Sequence, residues 1–323
     1  MIFSRSHQSL RFGVLSPEEI VLKAKEKGFD QIALTDINCM TSVFDFVLCC
    51  HAQNVQPIIG MEFRNAASAN FIGIAKNVQG FKELNTFLSQ HRIHKQPLPR
   101  FAPSFENVFV IYPLNNFPKT LAENEYVGIR VNEVSKLARN LIPKAIAYHP
   151  ITFDDPEGYQ LHRLLRCVDQ NILYSRLKPE DCCQPNEHFT PVDSLIKTYS
   201  YKPELLQNTV ALFNQCSFDF DFKSPKNKKS YTGSREGDKE LLTQLAMDGL
   251  SMRYGKNPRA KERTLRELDI IDKLGFAAYF LITWDVIRYA QSRGFFYVGR
   301  GSGANSIVAY CLQITDVNPI DLD

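Results

Sequence analysis

The sequence predicts an α/β fold over roughly the first 222 residues, followed by a mostly helical segment. Three observations point there. Short β-rich runs alternate with helical text at the spacing of βαβ units. Residues 223–238 (KSPKNKKSYTGSREGD) contain no large aliphatic side chain and mark an exposed connection. Beyond them, apolar residues recur at helical spacing. At 323 residues two units fit better than one, since domains commonly run to about 100–200 residues.

The first helix is signalled by Ser16-Pro17-Glu18-Glu19. Ser16 sits at the N-cap, Pro17 at the first helical position, and Glu19 where a capping-box carboxylate returns to the cap. The helix runs to about Lys27 and Gly28 ends it. Residues 31–36 are a β-rich run, and its polar end, Thr35-Asp36-Ile37-Asn38, falls where a strand opens into a loop. A helical pattern over 43–51 precedes the next strand, 55–62. Further strands are expected over 71–75, 108–112, 126–131 and 145–148. Parallel βαβ units would gather functional residues at the strands' carboxyl ends. Past the 223–238 boundary, helices are expected over 239–254, over 258–274 with Asn257-Pro258 as its start, and over 277–292, where Leu281, Trp284 and Ile287 or Arg288 share a spacing. A strand over 295–298 should run into Gly299-Arg300-Gly301-Ser302-Gly303-Ala304, with a helix over 305–312 behind it.

Composition narrows the function classes. With 44% hydrophobic and 23% charged residues the chain is neither disordered nor fibrous. No run approaches the roughly 20 apolar residues that cross a bilayer, and the start lacks the basic and apolar regions of a secretory signal. A cytoplasmic chain with no membrane partner is expected. Eight cysteines include the adjacent pairs Cys49-Cys50 and Cys182-Cys183 but no C-x-x-C. That spells neither a zinc ribbon nor a disulfide framework, so reduced thiols are expected. The net charge of +3 is uneven: residues 1–222 hold 22 Lys/Arg against 23 Asp/Glu, and residues 223–266 hold 12 against 5. This belt could track a DNA backbone, with Lys226, Lys228, Lys229, Arg259, Lys261 and Arg263 as the contacts. A solvated helix face or linker is the plainer alternative.

Two constellations could carry chemistry. At 297–309 a strand, glycine turn and helix follow one another, an arrangement in which glycines let backbone approach a phosphate and a helix start faces it. Arg300, Gly301, Ser302 and Gly303 are the candidate phosphate-binding residues. No Lys-Ser or Lys-Thr follows the glycines, which excludes a Walker A loop. Gly299, Gly301 and Ala304 match G-x-G-x-x-[GA], but no second strand follows to complete a dinucleotide-binding unit. A tight turn with no ligand is the bland alternative. The second constellation is Asp36 and Glu62 at strand ends, with His7, His51, His149 and His162 scattered. Hydrolytic metal clusters need three or more converging ligands. Apart from His91 and His94 no close pairing of histidines occurs, and hydrogen-bonded structural roles are the preferred reading. Asp316, Asp321 and Asp323 lie in a proline-containing turn and are expected to cap and solvate.

Three stretches, GFAAYFLITWDVI from Gly275, GRGSGANSIVAY from Gly299 and ITDVNP from Ile314, resemble the start of the palm in the C-family replicative polymerases, the bacterial DNA polymerase III alpha subunits. The front resembles that family's polymerase and histidinol phosphatase (PHP) domain through SLRFG from Ser9, IALTDIN from Ile32, PIIGME from Pro57 and LHRLLR from Leu161. The resemblance implies a distorted seven-stranded (βα) PHP barrel over 1–222, a basic linker over 223–238, and over 239–323 the incomplete opening of a polymerase-beta-like palm. It implies that Gly301 and Ser302, with Arg300 and Gly303, receive the triphosphate of the incoming nucleotide. The family's parent polymerase uses Mg2+, DNA and deoxynucleoside triphosphates, and meets replisome subunits such as a sliding clamp and a proofreading exonuclease. Its metal-holding aspartates belong to strands not among these 323 residues, so the chain alone is expected to bind no cofactor and to be inactive.

The departures are informative. Where the family's PHP domain begins with H-x-H, this sequence has Phe3 and Arg5. T-D-H has become Thr35-Asp36-Ile37, a following histidine matches Asn70, and a late D-x-H has become Pro150-Ile151-Thr152. Only Asp36 and Glu62 keep their carboxylates. Two carboxylates without imidazoles hold a borderline metal poorly, so the barrel is expected to be a metal-free scaffold. The rival readings are a PHP-type metal-dependent phosphoesterase or 3'-5' exonuclease using Asp36 and Glu62, and a non-catalytic replisome interaction module.

Overall fold

The computed structural model of the chain describes residues 2–65, 69–224 and 227–322, and of Ser302 the backbone alone. The chain divides into two compact units, residues 1–221 and 222–323.

The first unit is built on strands β1 (Phe3–Ser4), β2 (Gln31–Ile37), β3 (Gln56–Arg64), β4 (Ala69–Ala75), β5 (Val108–Pro113), β6 (Glu125–Ile129), β7 (Ala145–Ala147) and β8 (Pro150–Ile151). Its helices are α1 (Pro17–Glu26), α2 (Val43–Gln53), α3 (Val78–Ile93), α4 (Pro156–Gln170), α5 (Val192–Thr198) and α6 (Pro203–Phe213). The capping box that starts α1 is present: Ser16 Oγ accepts from the Glu19 amide at 3.2 Å, and Glu19 accepts from the Ser16 amide at 2.7 Å.

The strands form one sheet in the order β7-β6-β5-β4-β3-β2-β1-β8. Neighbours are parallel except at β4, which runs antiparallel to both β3 and β5, so the expectation of uniformly parallel units is corrected there. Only residues 65–68 separate β3 from β4, and a parallel crossover needs a dozen residues or more. The chain has to turn back. The strands at the two ends of the order, β7 and β8, are separated by only residues 148 and 149. The Tyr148 amide donates to Ile129 O at 2.9 Å, and the Phe3 amide donates to His149 O at 3.0 Å. Residues 145–151 are thus one bent segment, bonded first to β6 and then to β1, and the sheet closes on itself. Counted that way the barrel has the seven strands its resemblance implied.

Side chains alternate across the sheet with a period of two. Ile32, Leu34, Ile59 and Met61 pack outward with Ile20 and Ala24 of α1 and Phe46 of α2. Phe3, Ala33, Ile58, Ile72, Ile111 and Ile146 fill the interior. This parity decides where the functional candidates point.

The second unit packs α7 (Arg235–Tyr254), α8 (Pro258–Leu274), α9 (Ala277–Ser292) and α10 (Ile307–Cys311) around Leu242, Ala246, Leu250, Leu268, Ile271, Leu281, Ile307 and Val308. Helix α7 starts inside the stretch expected to be exposed linker. Ser234 caps it by accepting from the Gly237 amide at 3.0 Å, and the buried Asp238 carboxylate gathers the Tyr231 and Thr232 amides. The strand expected over 295–298 does not form. A strand needs a partner for its amides and carbonyls, and among the described residues of this unit no other segment is a strand. The helix expected over 305–312 is shortened to α10, because residues Ser302–Asn305 make a 3-10 turn instead. All eight cysteines are free thiols. Among the described residues no helix is long and apolar enough to cross a membrane.

Candidate functional site

A cavity of about 240 Å³ lies at the carboxyl ends of the parallel strands, with Arg5, Glu62, Arg64, Arg130, Tyr148 and Glu187 among its lining. Glu62 lies near the end of β3 on the inward parity, and Arg5 follows β1 on the same side. The Arg5 guanidinium, 2% exposed, contacts four side chains. Its Nε donates to Glu62 Oε2 at 2.8 Å, Nη1 donates to Thr152 Oγ1 at 2.9 Å and to Glu187 Oε2 at 2.6 Å, and Nη2 donates to Tyr148 OH at 3.0 Å. Nη2 also lies 2.8 Å from Glu62 Oε2. The second oxygen of Glu187 accepts from Arg130 Nη1 at 2.7 Å, and that of Glu62 accepts from Arg64 Nε. The charges alternate along one chain: Arg64, Glu62, Arg5, Glu187, Arg130.

Pairing keeps these buried groups ionised. Burial alone would raise the Glu187 pKa, but Arg5 and Arg130 outweigh it and bring the carboxyl down to about 2. Glu62 is lowered in the same way: Arg5 and Arg64 overcome its burial. Tyr148 is pushed up to about 12, chiefly by burial. Phe12 closes the cavity from the loop after β1. Three guanidinium carbons stand over its ring, those of Arg64 at 4.6 Å, Arg166 at 5.3 Å and Arg5 at 5.6 Å.

The two carboxylates singled out in the sequence do not meet. Asp36 lies on the outward parity of β2, opposite to Glu62. Its Oδ1 accepts from the Ser6 amide at 2.6 Å and from Ser9 Oγ at 2.7 Å, and Oδ2 accepts from Ser6 Oγ at 2.7 Å. Burial raises its pKa against those hydrogen bonds. The other departures from the histidine pattern are equally committed. Phe3 packs its ring on Tyr148 and Phe213, with centroids 5.0 and 5.4 Å away. Ile37 joins the cluster of Phe12 and Phe153. Asn70 donates to Pro99 O at 3.0 Å, and Thr152 donates to Glu187 at 2.8 Å. Among the described residues no group of three or more His, Cys, Asp or Glu converges to hold a metal ion. The PHP metal centre does not fit these side chains, because a guanidinium already sits on the inward carboxylate.

Of this network the sequence drew attention to Arg5, Glu62 and Thr152 alone. Arg64, Arg130, Tyr148 and Glu187 lie far apart in the chain, at spacings that carry no local pattern. The available signal was Arg5 itself, a permanent cation on an inward strand position.

The glycine bend of the second unit is open on one side. Gly301 has φ +92°, a conformation that favours glycine, and a Cβ added at Gly301 or Gly303 would meet nothing within 4 Å. Arg300 is exposed, while the side chain of Ser302 lies outside the described residues. Two amides at the start of the helix behind the bend already have acceptors within the unit, where the sequence reading expected them to face a phosphate. Glu267 of α8 accepts from the Ile307 amide at 3.0 Å and from Ser306 Oγ, and Ser306 Oγ accepts from the Ala309 amide at 2.9 Å. A carboxylate has taken the place where an anion was expected.

In the basic belt Lys228, Lys229, Arg259 and Lys261 are exposed, and Lys226 lies outside the described residues. Arg263 is directed inward within its unit. It donates to Pro319 O at 3.2 Å and to Asn305 O at 3.4 Å.

Comparison with known proteins fits this layout. Residues 4–117 match the PHP domain, and residues 240–323 match the bacterial DNA polymerase III alpha NTPase domain. The chain is 28% identical to a DNA polymerase III subunit alpha of Halalkalibacterium halodurans over 94% of its own length and 31% of the relative's. It is 27% identical to that of Bacillus subtilis, covering 98% and 32%, and 25% identical to an error-prone DNA polymerase of Symbiobacterium thermophilum, covering 94% and 33%. Along one chain, then, a segment similar to a PHP domain is followed by one similar to a polymerase III alpha NTPase domain. It is similar to bacterial DNA polymerase III alpha subunits, and it spans about a third of the length of the curated relatives it matches.

Proposed function

We propose that this chain supplies the PHP barrel and the opening of the palm of a template-directed DNA polymerase. The observation that carries the reading is the order of the two domain matches along one chain. In this reading residues 1–222 form the barrel, 223–238 a basic connection, and 239–323 the start of the palm. DNA and deoxynucleoside triphosphates are the substrates of the complete enzyme, Mg2+ its cofactor, and a sliding clamp and proofreading exonuclease its partners. Among the described residues no carboxylates converge to hold an ion, and in this reading the chain's own contribution is positioning. The bend at Arg300, Gly301, Ser302 and Gly303 would hold the nucleotide's phosphates, its open side supplying the room and Arg300 the charge. With Glu267 seated at α10, that hold comes from the bend and not from the helix end.

The barrel in this reading is a brace. A phosphoesterase or exonuclease would need Asp36 and Glu62 on one ion, and they face opposite sides of the sheet.

Two measurements test the proposal. The purified 323-residue chain is expected to be inert in primer extension, and metal-dependent incorporation by it would overturn that. In the complete polymerase, Arg300→Ala and Ser302→Ala should each weaken nucleotide use by about 1–3 kcal/mol per lost charge-assisted contact. Unchanged nucleotide KM in both variants removes the bend from the mechanism.

A further inference from the structure

The five N–H groups of Arg5 account for themselves one by one. One goes to Thr152, one to Glu187, one to Tyr148, and two approach the same oxygen of Glu62. Arginine offers only those five donors and cannot lose its charge in a protein. The arrangement is a single positive centre with oxygen ligands on several sides, at the mouth of a barrel, drawing together carboxylates from residues 62 and 187. That is the electrostatic work of a bound divalent ion, performed by a side chain. Unlike an ion, it is covalently attached and needs no loading. The outer arginines, Arg64 and Arg130, hold the far oxygens of the same two carboxylates, so each carboxylate is compensated on both sides.

We propose that Arg5 is a built-in cation that takes over the structural role of a metal in this barrel, making its folding independent of divalent ions. The inference rests on the barrel's own geometry and stands whether or not the complete protein polymerises DNA.

Two consequences separate this from an ordinary buried ion pair. The chain as it is should be indifferent to metals. Removal of the guanidinium should make it responsive, because Glu62 and Glu187 would then face each other across a polar cavity with the cation between them gone and only Arg64 and Arg130 on their far oxygens. Removing the shared partner of two buried carboxylates is destabilising, and any ion that enters and takes its place stabilises the folded state by mass action.

The test is thermal unfolding of the full chain in EDTA, in Mg2+ and in Mn2+. The unmodified chain is expected to unfold at the same temperature in all three. Arg5→Met should lower the midpoint in EDTA by roughly 10 °C, and Mn2+ should restore part of the loss. Replacing both carboxylates as well, in Arg5→Met/Glu62→Gln/Glu187→Gln, should abolish the Mn2+ response. Arg5→Lys keeps the charge and should remain indifferent to metal even if less stable. A rise of the unmodified chain's midpoint in Mn2+, or a fall in EDTA, overturns the proposal without recourse to any variant. So does an Arg5→Met chain that is as stable as its parent, or one that is destabilised yet blind to Mn2+. If Arg5→Met does not fold in EDTA, its failure to fold in Mn2+ as well, with Arg5→Lys folding only when metal is supplied, overturns it too.

Discussion

His162 shows how a histidine that could have been a metal ligand becomes structural. Its Nδ1 lies 2.6 Å from Phe12 O, and its Nε2 accepts from the Cys183 amide at 2.9 Å. Only the neutral ring with its proton on Nδ1 satisfies both. Burial brings its pKa down to about 4 against the effect of the Phe12 carbonyl, and burial does the same to His149, also to about 4. Both values lie below the ordinary 6.5, so on acidification the unfolded chain takes up these protons first. Their contribution is complete above about pH 6.5 and is lost between there and about pH 4, on the order of 3 kcal/mol for the fully buried His162. Glu187 then takes over. Its pKa falls from 4.5 to about 2, so its contribution is present above 4.5 and lost as pH drops through 2. Urea midpoints measured from pH 8 to pH 2 should therefore fall throughout the acid range. His162→Gln should make the segment between 6.5 and 4 shallower by about half, and an unaltered slope there would contradict a neutral, buried imidazole.

At the scale of elements, the close crossing of α7 and α10 depends on Gly249. A Cβ at that position would fall 2.1 Å from Cys311 O, which is backbone and cannot swing aside. Gly249→Ala is expected to destabilise the second unit by roughly 1–3 kcal/mol, read as a lower urea midpoint. An unchanged midpoint would mean that the two helices do not meet there. Much of the first unit could be read from the sequence because its signals are local. The box at Ser16 and Glu19 caps α1, and the apolar runs of β2 and β3 lie where expected. The direction of β4 was hidden, since composition says that a segment is a strand and not which way it runs. Residues 295–298 failed for the opposite reason: they have strand composition, but among the described residues of their unit there is no partner strand. The charge chain from Arg64 to Arg130 was illegible because its members meet only after the barrel has closed. Glu267 was missed likewise, being 40 residues from the helix start it satisfies.

For the whole molecule, the excess of positive charge in residues 223–266 makes a prediction about ionic strength. Lys228, Lys229, Arg259 and Lys261 are exposed and can exchange counterions for phosphates. DNA binding by the chain should weaken steeply with salt. Replacing these four residues by alanine should reduce the slope of log K against log salt by up to about 3.6, since each phosphate contact contributes roughly 0.9. An unaltered slope in that variant would take the belt out of DNA binding. Arg263, already bonded to Pro319 and Asn305, is left out of the set because its loss would disturb the fold.

The bent segment at residues 145–151, which hydrogen-bonds to β6 and then to β1, also limits how other proteins can approach. An open sheet invites an extended peptide to add itself as one more strand along an unpaired rim. Because the chain's own backbone pairs along both rims at that segment, that mode of attachment is disfavoured there. A protein that recognises this part of the unit is expected to read helix surfaces or loops, where side chains rather than main-chain hydrogen bonds set the choice. Its binding should then respond to single surface substitutions.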